Sequence, residues 1–525
     1  MLLHGGTVAA ADVPGATAVL VRHGRIAFVG GDDQARALAG AGTVVVDLRG
    51  RLVTPAFVDA HVHCVQVGQV ADGIDLHDAR SRDAVLDAVA AAAASRPGLR
   101  VLVGQGWDER GWPDPTPPTR AELDRAAPGT AVYLARVDVH SALVSSALLD
   151  RLPDVSGLPG FRADGWLTQE AHHRCRGRMD RLFTDGERRA AVRTALDGAV
   201  RQGVAGLHEL GGPHLGPVQD LVRVREEAAA RGVRAVTYWG ELADADSIAL
   251  ARDVGAAGLA GDLCVDGAIG SHTAALITPY ADADSRGVRY LDDDAIAAHL
   301  VTCTRAGVQA GFHCIGDEAV AAAVAGLRRA AEVLGVAAVR AARHRLEHVE
   351  MVDAADLATL AGLGVVASVQ PAFDAAWGGA GELYEQRLGR RAQTMNPFGD
   401  LHRAGVTLAF GTDAPVTPLA GWASVQAAVR HCREDQRLDV ATAFDAATRG
   451  AHRAARDDQT GRVVPGLDAD LAVWDVDPAL LDPATALPRL EPGDPLPGCA
   501  ATLGAGRVLH HDPDALGKLA ACRTR

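Results

Sequence analysis

An apolar run, Leu52-Val53-Thr54-Pro55-Ala56-Phe57-Val58-Asp59-Ala60, ends in His61-Val62-His63. Side chains two apart on a strand point to the same side. A strand ending this way aims two imidazoles at one point, an arrangement that can grip a divalent metal. Three further segments have the same form: Val308-Gln309-Ala310-Gly311-Phe312-His313, His344-Arg345-Leu346-Glu347-His348, and Val406-Thr407-Leu408-Ala409-Phe410-Gly411-Thr412-Asp413. A barrel of parallel strands collects side chains from distant strand ends at one mouth. Alone, His-x-His reads as a half-exposed strand. Four such endings point to one metal centre in a barrel mouth.

The rest of the chain fits that frame. Eight apolar strand candidates lie near 53–61, 204–209, 234–239, 262–267, 308–313, 343–349, 365–370 and 406–413, with Ala-rich helices such as 294–306 and 318–334 between them. This is an α/β pattern, and eight such units make a (β/α)₈ TIM-like barrel. The stretch of about 70–200 is too long for a loop after barrel strand 1 and must be an insertion with its own structure. Both ends of the chain are rich in short strands. Ala18–Arg22 turns at His23-Gly24 into Arg25–Val29, a hairpin signature, and Leu471–Asp475 resumes the style. The expected domains are a composite β-sandwich from 1–52 and 463–525, and a barrel over 53–462 carrying the insert.

The chain has 525 residues, 48% of them hydrophobic, and a net charge of −14 with no basic block. That argues against nucleic acid and anionic membrane as main partners. The apolar stretches stop short of a membrane span. Eight cysteines include no Cys-x-x-Cys pair, so neither a zinc ribbon nor a disulfide framework is indicated. No basic start followed by a long apolar stretch opens the chain, and a cytoplasmic setting is expected. A small-molecule substrate is the expected partner. A homo-oligomer is compatible with the sequence.

Taken in order, these motifs resemble the amidohydrolase superfamily, and most closely the amidohydrolase family 3 branch that includes N-substituted formamide deformylases. The resemblance runs from Asp47-Leu48-Arg49-Gly50-Arg51 into His61-Val62-His63, then through Gly104-Gln105-Gly106-Trp107-Asp108 and His140-Ser141-Ala142-Leu143. It continues through Asp266-Gly267-Ala268-Ile269-Gly270-Ser271-His272, His313-Cys314-Ile315-Gly316-Asp317, Glu347-His348, Gln370-Pro371, Gly411-Thr412-Asp413 and Pro465-Gly466-Leu467-Asp468-Ala469-Asp470. It implies a metal-dependent hydrolase acting on an amide or other non-peptide C–N bond. His61, His63 and Asp413 would hold one divalent metal. His313 and His348 would hold a second ion or complete a single site. Asp413 would also move the catalytic proton from water to the leaving nitrogen. Zinc (Zn²⁺), as one or two ions, suits imidazole and carboxylate ligands, with iron, manganese and cobalt as alternatives.

One departure bears on the metal count. Many relatives bridge two metals with a carboxylated lysine on the fourth strand. Here Asp262 stands at that position, and the single lysine, Lys518, lies near the C-terminus. The shorter Asp262 reaches a metal directly or leaves a mononuclear site, towards which the reading leans. Pro55-Ala56 replaces the usual Pro-Gly.

Other residues carry two readings each. His272 is a substrate contact or a loop support. Gln370 faces the pocket or packs. Trp107 and Trp112 line the substrate entrance or a core. Asp317 and Glu318 favour a helix dipole or serve a site. Glu170 reaches the mouth or is surface, and Cys64 packs on the face opposite His63. The competing function class is a non-catalytic binding protein that keeps the ligands. Hydrolysis of an ester or a cyclic amide is a further alternative on the same scaffold.

Overall fold

The computed structural model describes residues 1–96 and 98–516, so Lys518 lies outside the described residues. Among these, eight parallel strands form one sheet: β1 (Phe57–Val62), β2 (Val204–Gly211), β3 (Arg234–Trp239), β4 (Gly258–Leu259), β5 (Gln309–Cys314), β6 (Arg345–His348), β7 (Val366–Val369) and β8 (Thr407–Phe410). They lie in chain order. Just past β8 the sheet closes onto β1 through His63 N–H to Ala414 O at 2.9 Å and Asp413 N–H to His61 O at 2.8 Å. The eight-stranded TIM-like barrel is therefore present. Both faces of these strands are buried, which is why they read as continuous apolar runs rather than alternating ones. The main apolar core, with Phe57, Leu259, Phe312, Leu346 and Phe410, packs against the surrounding helices.

Two strands differ from expectation. The run over 53–61 divides at Ala56. Leu52–Pro55 pairs antiparallel with Leu471–Trp474 in a terminal sheet, and only Phe57 onward joins the barrel. The Ala56 N–H turns to Asp470 O while the Phe57 N–H turns to Gly203 O, so the chain changes sheets at this residue. The fourth strand ends before the expected 262–267. Gly261, at φ +85°, turns the chain after Leu259. Asp262–Val265 then runs irregularly along β5, held by a bridge between Cys264 and His313. Asp262 thus sits on irregular backbone at the barrel mouth.

The terminal strands form two further sheets. One has the order Arg25–Gly30, Ala18–Arg22, Leu2–His4, Val45–Asp47. The other has Thr7–Val8, Leu52–Pro55, Leu471–Asp475, Gly498–Gly504, Arg507–His511. They share one apolar cluster that includes Leu3, Val19, Val53, Leu471, Val473 and Leu503. The stretch between β1 and β2 builds its own sheet from Ile74–Asp75, Val101–Trp107, Ala131–Arg136, Ala142–Val144 and Trp166–Leu167. A second cluster joins this insert to the loops after β5, β6 and β7: Tyr133, Val139 and Leu167 meet Ile315, Met351, Phe373 and Trp377. The insert therefore covers the barrel mouth. No described helix is long and apolar enough to cross a membrane.

Deleting residues 1–52 removes the first sheet and strips Leu471, Val473 and Leu503 of their covering side chains. Each buried aliphatic side chain so exposed forfeits about 1.5–3 kcal/mol. The expected product aggregates, as read by size-exclusion chromatography. A soluble, metal-binding barrel from that truncation would show that the terminal sheets are dispensable.

Candidate metal centre

Four of the candidate side chains approach one another closely at the barrel mouth. His61 Nε2 lies 3.3 Å from Asp262 Oδ1 and 3.3 Å from Asp413 Oδ1. His63 Nε2 lies 3.2 Å from Asp262 Oδ2 and 3.0 Å from Asp413 Oδ1. His348 joins through its ring, 5.1 Å from that of His61, and His313 stands 4.5 Å from His348. All six residues are buried.

Hydrogen bonds on the far side of each ring set its tautomer. The Nδ1–H of His61 donates to Glu347 Oε2 at 3.1 Å, that of His63 to Leu210 O at 2.8 Å, and that of His348 to Gln370 Oε1 at 2.8 Å. Each neutral ring therefore turns its Nε2 lone pair inward. Lone pairs facing carboxylate oxygens at about 3 Å repel unless positive charge lies between them. Consistently, His61 Nε2, His348 Nε2, both ring nitrogens of His313 and Asp262 Oδ1 are buried without a hydrogen-bond partner. Protons are one way to supply the charge. Burial opposes charged imidazoles, but Asp413 and Asp262 outweigh it, raising His61 well above its ordinary value and His63 to about 9. The imidazoles in turn hold both carboxyls well below the usual range against the opposing effect of burial. A divalent cation does the same work with one particle, and two imidazoles with two carboxylates are a fitting donor set for it.

The centre is braced from below. Glu347 forms a fully buried pair with Arg345, with Arg345 Nε to Oε1 at 2.5 Å and Nη2 to Oε2 at 3.0 Å. Arg345 also donates to Ala60 O, Ser368 Oγ and His208 Nδ1, and lies 4.5 Å over the Tyr238 ring. Burial works against the charge on Glu347, yet Arg345 and His61 depress its carboxyl to about 2. Asp59 ties β1 to the end of β8. Its Oδ1 accepts the His61 and Thr412 N–H groups at 3.1 and 3.0 Å, and its Oδ2 accepts the Thr412 hydroxyl at 2.5 Å. Asp266 accepts the N–H groups of Ala275, Ile315 and Gly316 and so positions the loop that follows His313. His348 and Asp413 have φ +72° and +53°. Such left-handed backbone costs about 1–3 kcal/mol per residue and is kept where surrounding structure enforces it.

The residues with two readings now have places. Gln370 orients His348. His272 sits aside, its Nε2 2.9 Å from Asp282 Oδ1 and its ring against Tyr280, and it lines neither cavity at the metal centre. Trp107 is a correction: it is fully buried inside the insert, between Trp112 and Trp166, with Nε1–H donated to Leu134 O. Its size and apolar surroundings make it a core residue, away from the entrance. Asp317 Oδ1 accepts the Ile277 N–H, Cys64 packs in an apolar cluster, and Glu170 lines an open outer vestibule.

Several residues at the centre had no role assigned from the sequence: His140, seen there only as part of a motif, whose ring is 5.2 Å from that of His313, and His172, His173, Arg176 and His214. His214 follows the end of β2, so the strand-end rule was a usable signal. The others come from the insert, whose docking no local pattern announces. On one side the centre opens to a narrow space walled by Phe373, Trp377, Leu383, Tyr384 and Glu350; on another, to the histidine-lined space. Burial pushes Glu350 up to about 7.

Residues 44–510 match the amidohydrolase family. The chain belongs to that family. LONG AFTER FAR-RED 3 of Arabidopsis thaliana is 26% identical over 90% of this chain and 88% of its own length. An N-substituted formamide deformylase of Arthrobacter pascens is 32% identical over 26% of this chain and 25% of its own. The crystal structure of an uncharacterized metal-dependent hydrolase from Pyrococcus furiosus superposes with a TM-score of 0.70 at 23% identity, covering 91% of this chain and 99% of that one.

Glu347→Gln keeps shape but weakens the grip on His61. Metal affinity of this family member should fall about ten- to a hundredfold, read by chelator competition. An unchanged affinity would show that His61 is positioned without it. Because the folded carboxyl titrates near 2, below its ordinary value, its charge stabilises the fold above about pH 4.5. The stability gap between wild type and Glu347→Gln should therefore close as pH falls from about 5 to about 2 in denaturant titrations.

Proposed function

We propose that this amidohydrolase hydrolyses an amide or related non-peptide C–N bond of a small molecule, with one divalent metal, zinc by the donor chemistry, held by His61, His63, Asp262 and Asp413. The observation that carries this reading is the convergence of those four side chains on one point, with every Nδ1–H of the two imidazoles committed elsewhere. Asp262 then serves as a direct ligand in the place where relatives carry a lysine. His313 and His348, next to the four, face the substrate.

When bound, the cation brings the pKa of a water to about 7 and polarises the scissile carbonyl. The chain's residues do the rest. Asp413 is the general base: it accepts the water proton as the oxygen adds to the carbonyl carbon, then delivers that proton to the departing nitrogen. The C–N bond breaks, and the products are a carboxylic acid and an amine. His348 is kept neutral, its nitrogen depressed to about 3 by burial and by the neighbouring imidazoles, so it accepts rather than repels positive charge at the centre. The insert excludes bulk water from this space. Phe373 and Trp377 offer an aromatic wall for the apolar part of the substrate.

Asp413→Asn should lower turnover by about two to four powers of ten, the usual worth of general acid–base catalysis. Metal content is measured on the same preparation, so that loss of the base is told apart from loss of the ion. Near-wild-type activity with metal retained removes Asp413 from the mechanism. Elemental analysis of the tag-free wild type is expected to give one transition metal per chain. Asp262→Asn should reduce that occupancy, and an unchanged content would show that Asp262 is no ligand.

A further inference from the structure

Most arginines around the barrel mouth are matched with carboxylates. Arg136 pairs with Asp108, Glu109 and Asp138, Arg188 with Asp220, and Arg387 with Asp282. Arg176 is different. It stands on the insert helix Gln169–Arg178, and its guanidinium makes no hydrogen bond or ion pair with any described side chain or backbone group. It lines two adjoining spaces. One is the metal-side space, shared with His63, His140, His173, His214 and Asp262. The other is walled by Gln66, Gln69, Gln105 and Tyr133, with no carboxylate among its described lining residues.

The charges in these spaces do not cancel. Asp262 and Asp413 are the acids of the metal-side wall, and both are counter-charges to the metal. His140, His172, His173 and His214 are held neutral, by burial first and then by neighbouring positive groups that include Arg176. With the metal in place, Arg176 is left as an unbalanced cation. The approach carries charges of both signs. An open vestibule shares His173 and His214 with the inner space and carries Arg174, Arg178 and Arg181 against Glu170 and Glu241. Asp154 partly offsets Arg174 and Arg178.

We propose that Arg176 binds an anionic group of the substrate, so that the preferred substrates are amides, or related compounds, bearing a carboxylate. A guanidinium takes a carboxylate through two parallel N–H···O bonds, with a geometry a lysine cannot copy. The neutral histidines beside it supply further hydrogen bonds without repelling the anion. The inference deepens the hydrolase reading and rests on it for turnover, though not for binding.

The test uses the metal-loaded full chain and a matched pair of amides, 3-carboxyformanilide and 3-carbamoylformanilide, which differ in charge and little in shape. Wild type should prefer the carboxylate in kcat/KM. Arg176→Leu should lower the carboxylate-to-carboxamide ratio roughly ten- to a hundredfold, the range for a hydrogen bond to a charged group, chiefly through KM. Arg176→Lys should restore part of it. A ratio unmoved by Arg176→Leu, or a wild type that favours the carboxamide, overturns the proposal. Tm and metal content on the same samples identify a variant that has merely lost its fold. Binding separates this proposal from the hydrolase reading. Calorimetry with 3-aminobenzoate and 3-aminobenzamide needs no turnover. If neither formanilide is cleaved yet the benzoate binds through Arg176, the anion site stands and the hydrolase reading falls. If both are cleaved and Arg176→Leu leaves benzoate affinity unchanged, the anion site falls and the hydrolase reading stands.

Discussion

Two buried carboxylates face two buried imidazoles whose outer nitrogens are already spent, and the barrel mouth is arranged around the positive charge this demands. Asp262 and Asp413 cannot both remain ionised in a dry site without a counter-charge. His61 and His63 cannot turn away, because Glu347 and Leu210 hold their Nδ1–H groups. A divalent cation resolves both conflicts at once. The left-handed backbone at His348 and Asp413 is part of the same arrangement.

That demand propagates downward. His61 depends on Glu347, Glu347 on Arg345, and Arg345 on Ala60, Ser368, His208 and the Tyr238 ring. An ion pair with both members fully buried gains little net stability, but breaking it by removing one partner costs about 3–5 kcal/mol. The pair is therefore better understood as a fixture that makes one ring orientation the cheap one. Asp59 plays the comparable part between β1 and β8, binding the backbone at His61 and at Thr412, one residue before Asp413.

The insert adds what a bare barrel lacks. Its apolar contacts with the loops after β5 to β7 seat it on the mouth. In that position it places His140, His173 and Arg176 beside the candidate metal centre. The barrel thus supplies the candidate ligands and the insert supplies part of the wall.

Much of this was legible in the chain itself. Parallel strands buried on both faces read as unbroken apolar runs, so the barrel could be counted. The candidate site residues His61, His63, His313, His348 and Asp413 stand at strand ends, where a local pattern marks them. Asp262 was legible as the residue in a lysine's place, but its reach was not, because Gly261 breaks the fourth strand early and the irregular backbone decides where the carboxylate falls. Trp107 looked like an entrance residue because an aromatic beside a motif carries no sign of which core it fills. His172 to Arg176 gave no signal at all, since helix periodicity cannot say against which surface a helix docks. The sequence alone determined which groups could hold a metal. Only the tertiary structure decided which groups line the spaces beside them, because that depends on long-range packing between an insert and a barrel mouth rather than on the pitch of a strand.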